Sequence, residues 1–366
     1  MTTTHRIVMG NACNLSVIAD ATVHLVVTSP PYPMIEMWDE VFSSQSEDAK
    51  TALLNKNGSS AFQAMHNVLD LVWKELFRVL IPGGFACINI GDATRTIGPE
   101  FALYPNHARI ISACSGIGFT ALPSIVWRKQ TNAPNKFMGS GMLPAGAYVT
   151  LEHEYILIFR KGGKRQFTTG EEKVLRSTSA LFWEERNNWY SDVWWDLKGT
   201  GQELKDKSVR NRSGAFPFEL AYRLISMYSV QSDIVVDPFL GTGTTTLAAI
   251  TANRNSIGVE FKKDLLKVVT NRISQDSVSS SNAYIRERIG RHLDFIQTRE
   301  TEKHKTPLKH KNRHYGFPVM TRQETEICLN YLQSVTRLDP TSFTVEYVDT
   351  PMVDYFGKGS LFGTLG

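Results

Sequence analysis

The chain has 366 residues, enough for one large α/β domain plus a smaller module, and no apolar run approaches the ~18 residues that a membrane span needs. Hydrophobic residues make up 42% and charged residues 21%, as in ordinary globular proteins, and the net charge of +4 is compatible with a phosphate-rich partner without requiring one. The four cysteines lie far apart without a C-x-x-C pair, which favours reduced thiols in the cytoplasm and argues against a disulfide framework or a zinc site.

The first 160 residues alternate strand-like and helix-like segments, which predicts a parallel sheet covered by helices. The pattern predicts strands near 23–28, 85–90, 122–127 and 155–159, and helices near 61–80 and 105–114. The helix over 61–80 is the clearest, because its apolar residues recur at i, i+3 and i+4 and a Pro-Gly-Gly run at 82–84 predicts its end.

A Ser-Pro-Pro-Tyr run follows the first predicted strand directly, at Ser29, Pro30, Pro31 and Tyr32. The prolines restrict the backbone and exclude a helix, so the Ser29 hydroxyl and the Pro30 carbonyl are held at the carboxyl end of the strand. The carbonyl can accept a hydrogen bond from an amino group on a nucleobase, and the Tyr32 ring can stack on a base rotated out of the double helix. The alternative is a structural Pro-Pro turn.

The strand–helix rhythm is lost between about 160 and 213 and returns with a helix near 218–228, a strand near 234–236, a helix near 244–252 and a strand near 256–259. The turn after the first of these strands contains Gly241 and Gly243, which allow a ligand to approach the backbone, and the following helix offers free N–H groups to a carboxylate. Glu260 stands roughly 20 residues after Asp237, where an α/β nucleotide site places an acid for ribose hydroxyls. The G-x-G-x-x-G spacing of dinucleotide binders is absent because position 246 is Thr, so we expect a methionine-type cofactor, with a plain glycine turn as the alternative.

The order of these motifs resembles the amino-group DNA methyltransferases of the circularly permuted β class, in which the catalytic motif precedes the cofactor motif. The resemblance covers about residues 5–275 and includes the segments at 76–84, 152–159 and 214–219. It implies an α/β fold with a doubly wound, mostly parallel, seven-stranded, Rossmann-like sheet and an inserted target-recognition region. It also implies S-adenosyl-L-methionine as the methyl donor, flipping of the target base and direct attack without a covalent enzyme intermediate.

The resemblance assigns cofactor contacts to residues near the glycine turn and in two further segments. They are Asn11, Phe216, Pro217, Asp237, Pro238, Phe239, Gly241, Gly243, Thr244, Thr245 and Glu260. Members of the family usually carry Gly-Asp near the N-terminus, whereas this chain has Gly10-Asn11. An asparagine can still form hydrogen bonds but has no charge, which allows for weaker cofactor binding.

The Ser-Pro-Pro-Tyr version of the catalytic motif is mostly associated with N4 of cytosine, and the Asp/Asn-Pro-Pro-Tyr versions with N6 of adenine. We therefore expect methylation of cytosine N4 in double-stranded DNA. Asn89 and Asp92 at the end of the second strand are candidates to accept a proton or to orient the base, and capping of the strand end is the alternative for both. No cysteine follows a proline, so the Pro-Cys nucleophile of cytosine-C5 methyltransferases is absent, in keeping with direct attack.

Target recognition in the family maps to about 160–213. The candidates for contact with phosphates or guanines are Arg160, Lys161, Lys164, Arg165, Lys205, Lys207, Arg210 and Arg212. Trp194 and Trp195 are expected to pack this region onto the main domain, with stacking on DNA as the alternative. The loop over 130–148, rich in Gly, Pro, Asn and Met, is predicted to be mobile and is a candidate to close over the flipped base.

We predict a catalytic half at 1–160, a target-recognition region at 161–213, a cofactor-binding half at 214–280 and a C-terminal extension of unknown role at 281–366. The basic, His-containing stretch 303–314 allows a second phosphate contact, with solvated surface or a dimer contact as alternatives, and no metal is expected. A restriction endonuclease of the same system is the expected functional partner, and a homodimer is an open alternative to a monomer. The competing functions are an N6-adenine methyltransferase of the same fold, an RNA or protein amide methyltransferase, and a DNA-binding protein without catalysis.

Overall fold

The computed structural model describes residues 1–129, 138–198, 216–274, 276–301 and 306–349. The strands are β1 (Thr2–Met9), β2 (Val23–Thr28), β3 (Leu80–Ile90), β4 (Ala93–Ile97), β5 (Glu100–Tyr104), β6 (Phe119–Arg128), β7 (Met138–Gly139), β8 (Ala147–Tyr148), β9 (His153–Lys161), β10 (Val193–Trp194), β11 (Ile234–Asp237), β12 (Asn255–Glu260), β13 (His310–Lys311), β14 (Pro318–Val319), β15 (Leu332–Asp339) and β16 (Ser342–Tyr347). The helices are α1 (Asp39–Gln45), α2 (Glu47–Leu54), α3 (Gly58–Val79), α4 (Asn106–Ile117), α5 (Gly170–Thr178), α6 (Trp183–Trp189), α7 (Phe218–Tyr228), α8 (Thr244–Thr251), α9 (Lys263–Arg272) and α10 (Asp276–Thr301).

The chain forms two compact units. The first comprises Gly10–Lys164 and Asp192–Leu220. We call it the catalytic-loop unit, because it contains the Ser-Pro-Pro-Tyr segment at 29–32, the candidate catalytic loop. The second, the glycine-turn unit, comprises Met1–Met9, Arg165–Ser191 and Ala221–Gly366. The four segments predicted from the sequence stay a prediction, because compactness and function need not divide a chain at the same residues.

In the catalytic-loop unit the strand order is β10-β6-β9-β3-β2. Strands β2 and β3 are parallel, as are β6 and β10, whereas β9 runs antiparallel to both β3 and β6. The carboxyl ends of β2, β3, β6 and β10 therefore lie at one edge of the sheet, together with the first residues of β9. This edge carries the catalytic loop.

Helix α3 is the last of three α-helices between β2 and β3, and it buries one face. At its N-terminus the Asn57 side chain accepts a hydrogen bond from the Ser60 N–H, and the buried residues of the helix include Trp73 and Leu76. Truncating a buried leucine of this kind costs about 2–5 kcal/mol. The Pro-Gly-Gly run does not separate helix from strand as expected, because β3 begins at Leu80 and the run forms an irregularity in its pairing with β2.

In the glycine-turn unit the order is β11-β12-β1-β16-β15. Strands β11, β12 and β1 are parallel, and β16 and β15 extend the sheet, with β16 antiparallel to β1 and β15 antiparallel to β16. The last part of the chain therefore adds strands to this sheet, and Val345 from β16 shares a buried core with Ile7 from β1 and Ile289 from α10. The predicted α/β fold, with a mostly parallel sheet and flanking helices, is confirmed.

Candidate active site

The Ser-Pro-Pro-Tyr segment leaves the carboxyl end of β2, whose central residues are fully buried. Pro30 is buried, while Ser29 and Tyr32 are partly exposed. The Ser29 hydroxyl donates to the Tyr32 hydroxyl at 3.2 Å. The two polar groups of the motif are thus coupled to each other instead of pointing apart.

The Tyr32 hydroxyl is the centre of a hydrogen-bond network that includes three residues distant in the sequence, Asn89, Lys129 and Glu154. It donates to Oε2 of Glu154 at 2.9 Å and accepts from Nδ2 of Asn89 at 2.8 Å. The same Asn89 nitrogen donates to Glu154 Oε2 at 2.6 Å, and Lys129 Nζ donates to the other oxygen, Oε1, at 2.7 Å. The Glu154 carboxylate therefore accepts three hydrogen bonds, at the end of β3.

Burial and the neighbouring Glu154 charge raise the pKa of Tyr32 well above its ordinary value. Tyr32 is consequently a neutral hydrogen-bond donor at physiological pH and not a base. No donor among the described residues bonds Oδ1 of Asn89, although that oxygen is buried. A buried acceptor without a partner lowers the free energy of unfolding by about 1–3 kcal/mol.

Glu154 and Lys129 were not recognised as site residues from the sequence. Glu154 reaches the site because β9 runs antiparallel to β3, which pairs Asn89 with Ile156 and places the start of β9 beside the end of β3. Gly91 leaves room for the contact, since a Cβ there would lie 3.0 Å from Cε2 of Tyr32 and 3.4 Å from Cγ of Glu154. The available signal was a pair of glutamates just before an apolar strand.

Asp92 has a different environment from Asn89. Its carboxylate bonds the His107 N–H at 3.1 Å and the His107 ring Nδ1 at 2.7 and 2.8 Å, at the start of α4. The His107 ring stacks on Tyr155 at 4.0 Å between centroids. These contacts favour the capping alternative for Asp92, whereas Asn89 lies in the network of the catalytic motif.

The four thiols are poor nucleophiles. Burial raises the pKa of Cys13, Cys87 and Cys114, and raises that of Cys328 to about 11. The thiolate is the nucleophilic form, so a raised pKa suppresses it. This chemistry agrees with attack on a methyl donor without a cysteine intermediate.

In the glycine-turn unit, Asp237 ends β11 and organises the turn from within. Its Oδ1 accepts from the Phe239 N–H at 3.0 Å and its Oδ2 from the Thr245 hydroxyl at 2.7 Å. Gly241 and Gly243 have φ of +55° and +81°, conformations that favour glycine. A Cβ on Gly241 would meet only the Phe239 carbonyl, at 3.8 Å, so the backbone here is open to a ligand.

Helix α8 begins immediately after Gly243, and the side chains of Thr244, Thr245 and Thr246 are buried in its first turn. Pro238 is also buried, and the Phe239 ring is partly exposed. A helix N-terminus after a glycine turn binds carboxylates and phosphates. The residues present therefore fit the carboxylate end of an amino-acid-derived cofactor.

Glu260 ends β12 beside the glycine turn. Its Oε2 accepts from the Gly241 N–H at 2.9 Å, and its Oε1 accepts from the Phe261 and Lys262 N–H groups at 3.1 and 2.9 Å. Burial raises its pKa, while the three amide donors act in the opposite direction. A carboxylate has about four lone-pair positions, so one is left for a hydroxyl donor. The neighbouring Phe261 ring is 53% exposed and was not singled out from the sequence.

The remaining cofactor candidates belong to the catalytic-loop unit. Asn11 is exposed, with Oδ1 accepting from the Cys13 N–H at 2.9 Å and Nδ2 donating to Gln45 at 3.0 Å. Phe216 and Pro217 are buried, and the Pro217 carbonyl accepts from the Leu220 N–H at 3.1 Å at the start of α7. Their assignment to the cofactor remains a prediction.

Four of the eight candidate DNA contacts belong to the described residues, and four do not. Lys161 Nζ bonds the Leu80 and Arg78 carbonyls at 2.7 and 3.3 Å, and Arg165 forms an ion pair with Asp233 at 2.7 Å, so both cations have partners within their own unit. Arg160 bonds the Gly162 carbonyl at 3.0 Å. Lys164 also has an interaction partner. The candidates that lie outside the described residues are Lys205, Lys207, Arg210 and Arg212.

The two adjacent tryptophans differ. Trp194 is 1% exposed and pairs with Trp127 across β10 and β6, as expected for a packing residue. Trp195 is 66% exposed, and the Arg128 guanidinium lies 5.2 Å from the centroid of its ring. Trp195 therefore does not pack as predicted and presents an aromatic face at the same sheet edge as the catalytic loop.

Two further predictions fall only partly on the described residues, and both stay predictions. Of the predicted loop 130–148, the described residues 138–148 contain β7 and β8, which pair with each other, and 130–137 lie outside the description. Of the basic stretch, Lys303, His304 and Lys305 likewise lie outside it, and Arg313 pairs with Glu326 at 2.9 Å. In the described ranges no three His, Cys, Asp or Glu residues are grouped to hold a metal, and no described helix is long and apolar enough to cross a membrane.

Comparison with known proteins gives a consistent result. Residues 23–271 match the model of the N6/N4 DNA methylase family. The chain is 49% identical to the type II methyltransferase M.MthZI of Methanothermobacter thermautotrophicus over 348 residues, which cover 95% of this chain and 96% of the relative. It is 47% identical to the type II methyltransferase M.MjaI of Methanocaldococcus jannaschii, covering 75% and 92% of the two chains.

Among solved structures, the fold resembles a putative DNA modification methylase of Thermus thermophilus, which was determined in complex with S-adenosyl-L-methionine. The TM-score is 0.58 at 32% identity, covering 73% of this chain and 92% of that one. The family match extends over both the Ser-Pro-Pro-Tyr segment and the glycine turn, the two motifs on which the sequence interpretation depends. The chain therefore belongs to the N6/N4 DNA methylase family, whose members are S-adenosyl-methionine-dependent DNA methyltransferases.

Proposed function

We propose that the protein transfers a methyl group to the exocyclic N4 of cytosine in double-stranded DNA. The observation that carries the proposal is the hydrogen-bond network of Ser29, Tyr32 and Asn89, which surrounds the end of β2 with acceptors and neutral donors and provides no nucleophile. The choice of cytosine rests on the serine at the first position of the motif. The corresponding adenine enzymes mostly carry Asp or Asn there.

The reaction requires little from the protein beyond orientation. The lone pair of an aromatic amino group is delocalised into the ring, and acceptors on its hydrogens favour the pyramidal geometry in which the lone pair can attack. The Pro30 carbonyl is one such acceptor, since proline keeps its C=O. When the N–C bond forms and the S–C bond of the donor breaks, one amino proton is released to solvent, so no covalent enzyme intermediate is needed.

The glycine-turn unit would hold the methyl donor, S-adenosyl-L-methionine, which supplies a sulfonium methyl group. Gly241 and Gly243 leave the backbone accessible, and the first turn of α8 offers N–H groups to the methionine carboxylate. Glu260 has one lone-pair position left for a ribose hydroxyl, and the exposed Phe261 ring offers a face for adenine. Proximity and alignment then account for much of the rate.

The DNA side of the proposal is supported by the exposed Trp195 and Arg128 at the edge that carries the catalytic loop. An enzyme that modifies a base inside a duplex has to rotate that base out of the stack, and aromatic and cationic side chains stabilise the opened site. The names of the two curated relatives place them in type II systems. By analogy we propose that this protein protects DNA from a partner restriction endonuclease.

The test is incubation with mixed-sequence duplex DNA and methyl-labelled S-adenosyl-methionine, followed by digestion to nucleosides and mass spectrometry. N4-methylcytosine is the expected product. N6-methyladenine would leave the enzyme class intact and overturn the inference from Ser29. Binding of the cofactor without any labelled nucleoside on genomic DNA of varied composition would favour a DNA-binding protein without catalysis.

A further inference from the structure

The inference concerns Glu154, Lys129 and Asn89, and it rests on the proposed function because it identifies how that site holds the amino group. We propose that the Lys129–Glu154 ion pair is a positioning device that fixes the side-chain amide of Asn89, so that Asn89 Oδ1 accepts a hydrogen bond from the amino group of the target base. Glu154 acts through Asn89 and Tyr32 and does not itself contact the base.

The side-chain amide of Asn89 has one favoured orientation. An amide nitrogen has two N–H donors, and both are used at Asn89, one to the Tyr32 hydroxyl at 2.8 Å and one to Glu154 Oε2 at 2.6 Å. The reverse orientation would place Asn89 Oδ1 against the Glu154 carboxylate, acceptor against acceptor. The carboxylate thus determines which way the amide points.

The Glu154 carboxylate is in turn oriented by Lys129. Lys129 Nζ holds Glu154 Oε1 at 2.7 Å, which leaves Oε2 for Asn89 and Tyr32. Lys129 directly follows β6 and Glu154 is the second residue of β9, so two paired strands fix their separation. The ion pair is therefore part of the sheet edge and not a chance surface contact.

The remaining polar atom of the Asn89 side chain is the oxygen Oδ1. Asn89 is 2% exposed, and within the described ranges no donor bonds its Oδ1. Asn89 lies in β3 and is bonded to Tyr32, which follows β2, and to Glu154 of β9. A side chain fixed in this way, with one buried acceptor left over, is suited to a ligand that brings a hydrogen-bond donor. An exocyclic amino group brings two N–H donors, and the Pro30 carbonyl and Asn89 Oδ1 together would accept both. The Ser29 hydroxyl donates to Tyr32 and keeps its lone pairs, whereas Asn89 Oδ1 is the acceptor of this network that is buried and has no donor among the described residues.

The test exchanges the donor and acceptor roles of Asn89 and Glu154. In Glu154→Gln, the new amide nitrogen faces either Lys129 or Asn89, donor against donor, which favours the wrong orientation of Asn89. In Asn89→Asp, two carboxylates compete for one position, and one of them has to bind a proton. In the double variant Asn89→Asp/Glu154→Gln, the amide introduced at position 154 can donate to the carboxylate introduced at position 89, whose second oxygen again serves as an acceptor.

We expect each single variant to lower kcat by about tenfold or more, as loss of an oriented polar contact does, with KM for DNA nearly unchanged. Asn89→Asp should recover activity as the pH falls, because protonation removes the repulsion. The double variant should return to within about threefold of wild type, because the exchange restores one donor and one acceptor at the contact. A residue with a merely structural role would show neither the KM–kcat split nor rescue by the exchange.

The matched control is Glu47→Gln, which alters an exposed Glu–Lys pair with Lys50 at 3.4 Å and should leave kcat unchanged. Cofactor affinity and thermal midpoint, measured for every variant, show that the fold is retained. The inference would be overturned by a wild-type kcat in Glu154→Gln or by additive losses of kcat in the double variant. In either case, amino-group methylation of DNA by the wild-type protein would still support the proposed function. Absence of amino-group methylation by the wild-type protein would overturn both.

Discussion

A Cβ atom placed on Gly243 would lie 2.9 Å from Cγ1 of Val269, whereas one on Gly241 would meet only a carbonyl oxygen at 3.8 Å. The two glycines of the same turn thus have different reasons for being glycine. Val269 is fully buried in α9, so Gly243 permits close packing of that helix. Gly241 leaves space on the side where the cofactor is proposed to bind.

This difference predicts separable effects of two alanine substitutions. Gly243→Ala should lower the free energy of unfolding by about 2–4 kcal/mol, from the positive φ and from the contact with Val269. Gly241→Ala should cost only about 1–2 kcal/mol, from its φ, but should weaken cofactor binding by about tenfold or more. Urea unfolding and calorimetry with S-adenosyl-methionine measure the two quantities. Tight cofactor binding by Gly241→Val, with its larger side chain, would place the cofactor elsewhere.

Ser29→Ala should lower kcat about tenfold and leave cofactor affinity unchanged, since one hydrogen bond to the Tyr32 hydroxyl is lost and that bond lies outside the glycine-turn unit. Single-turnover methylation and calorimetry report the two effects. Ser177→Ala, which removes a hydroxyl bonded to the Val174 carbonyl on α5, is the matched control. Equal loss of turnover and cofactor affinity would contradict the role assigned to Ser29.

The buried pair between Arg288 and Glu185 is expected to stabilise the attachment of α6 to α10. Arg288 donates to the two carboxylate oxygens at 2.6 and 2.7 Å and to the Tyr222 hydroxyl at 2.9 Å. Arg288→Met should cost about 3–5 kcal/mol, because it leaves a buried carboxylate without its cation. Chemical denaturation measures the loss.

The double variant Arg288→Met/Glu185→Gln should lose less than Arg288→Met alone, because the uncompensated charge is removed while an acceptor remains for the Phe182 N–H. Arg291→Met removes an exposed pair with Glu287 and should cost no more than about 0.5 kcal/mol. Additive costs in the double variant would show that the charge pair contributes little.

Trp195→Ala should weaken binding to duplex DNA about tenfold without changing its salt dependence, because stacking does not release counterions. Arg128→Met should instead reduce the slope of log affinity against log salt by about 0.9 if the guanidinium meets a phosphate. Trp195→Phe should retain most of the affinity. If Trp195→Ala binds DNA as tightly as wild type, the exposed ring of Trp195 does not contribute to DNA binding.

Stability should fall in mild acid because two buried histidines stay neutral in the folded protein. Burial lowers the pKa of His5 to about 3 and that of His66 to about 4, from 6.5 when unfolded. Below about pH 6.5 the unfolded chain binds protons that the folded chain does not, so each histidine should cost about 1.4 kcal/mol per pH unit until its folded pKa is reached. Above about pH 7 neither contributes to the slope.

In urea unfolding, the free energy of unfolding should be lower at about pH 5 than at about pH 7, by about 2 kcal/mol for each of the two histidines. His5→Asn should remove its share of this pH dependence, whatever its own effect at neutral pH. If His5→Asn showed the same difference in free energy of unfolding between the two pH values as wild type, His5 would be protonated in the folded protein at the lower pH.

Much of the fold and both motifs were predictable from the sequence alone, because they depend on local rules. The strand at Val23–Thr28 has the predicted bounds, and the strand, glycine turn and helix around Asp237 are present as expected. Periodicity and turn chemistry act over a few residues and are readable without knowledge of contacts. The order of the motifs along the chain was enough to indicate the family.

The partners of those motifs were decided by the tertiary structure. Glu154 meets Tyr32 across 122 positions only because β9 runs antiparallel to its neighbours, and strand direction leaves no local signature. Likewise β16 pairs with β1, joining Thr3 to Val345, although the end of the chain carried no recognisable motif. Local sequence thus determined which elements form and which chemistry they carry, whereas long-range pairing decided which side chains meet, because such contacts depend on the sheet as a whole.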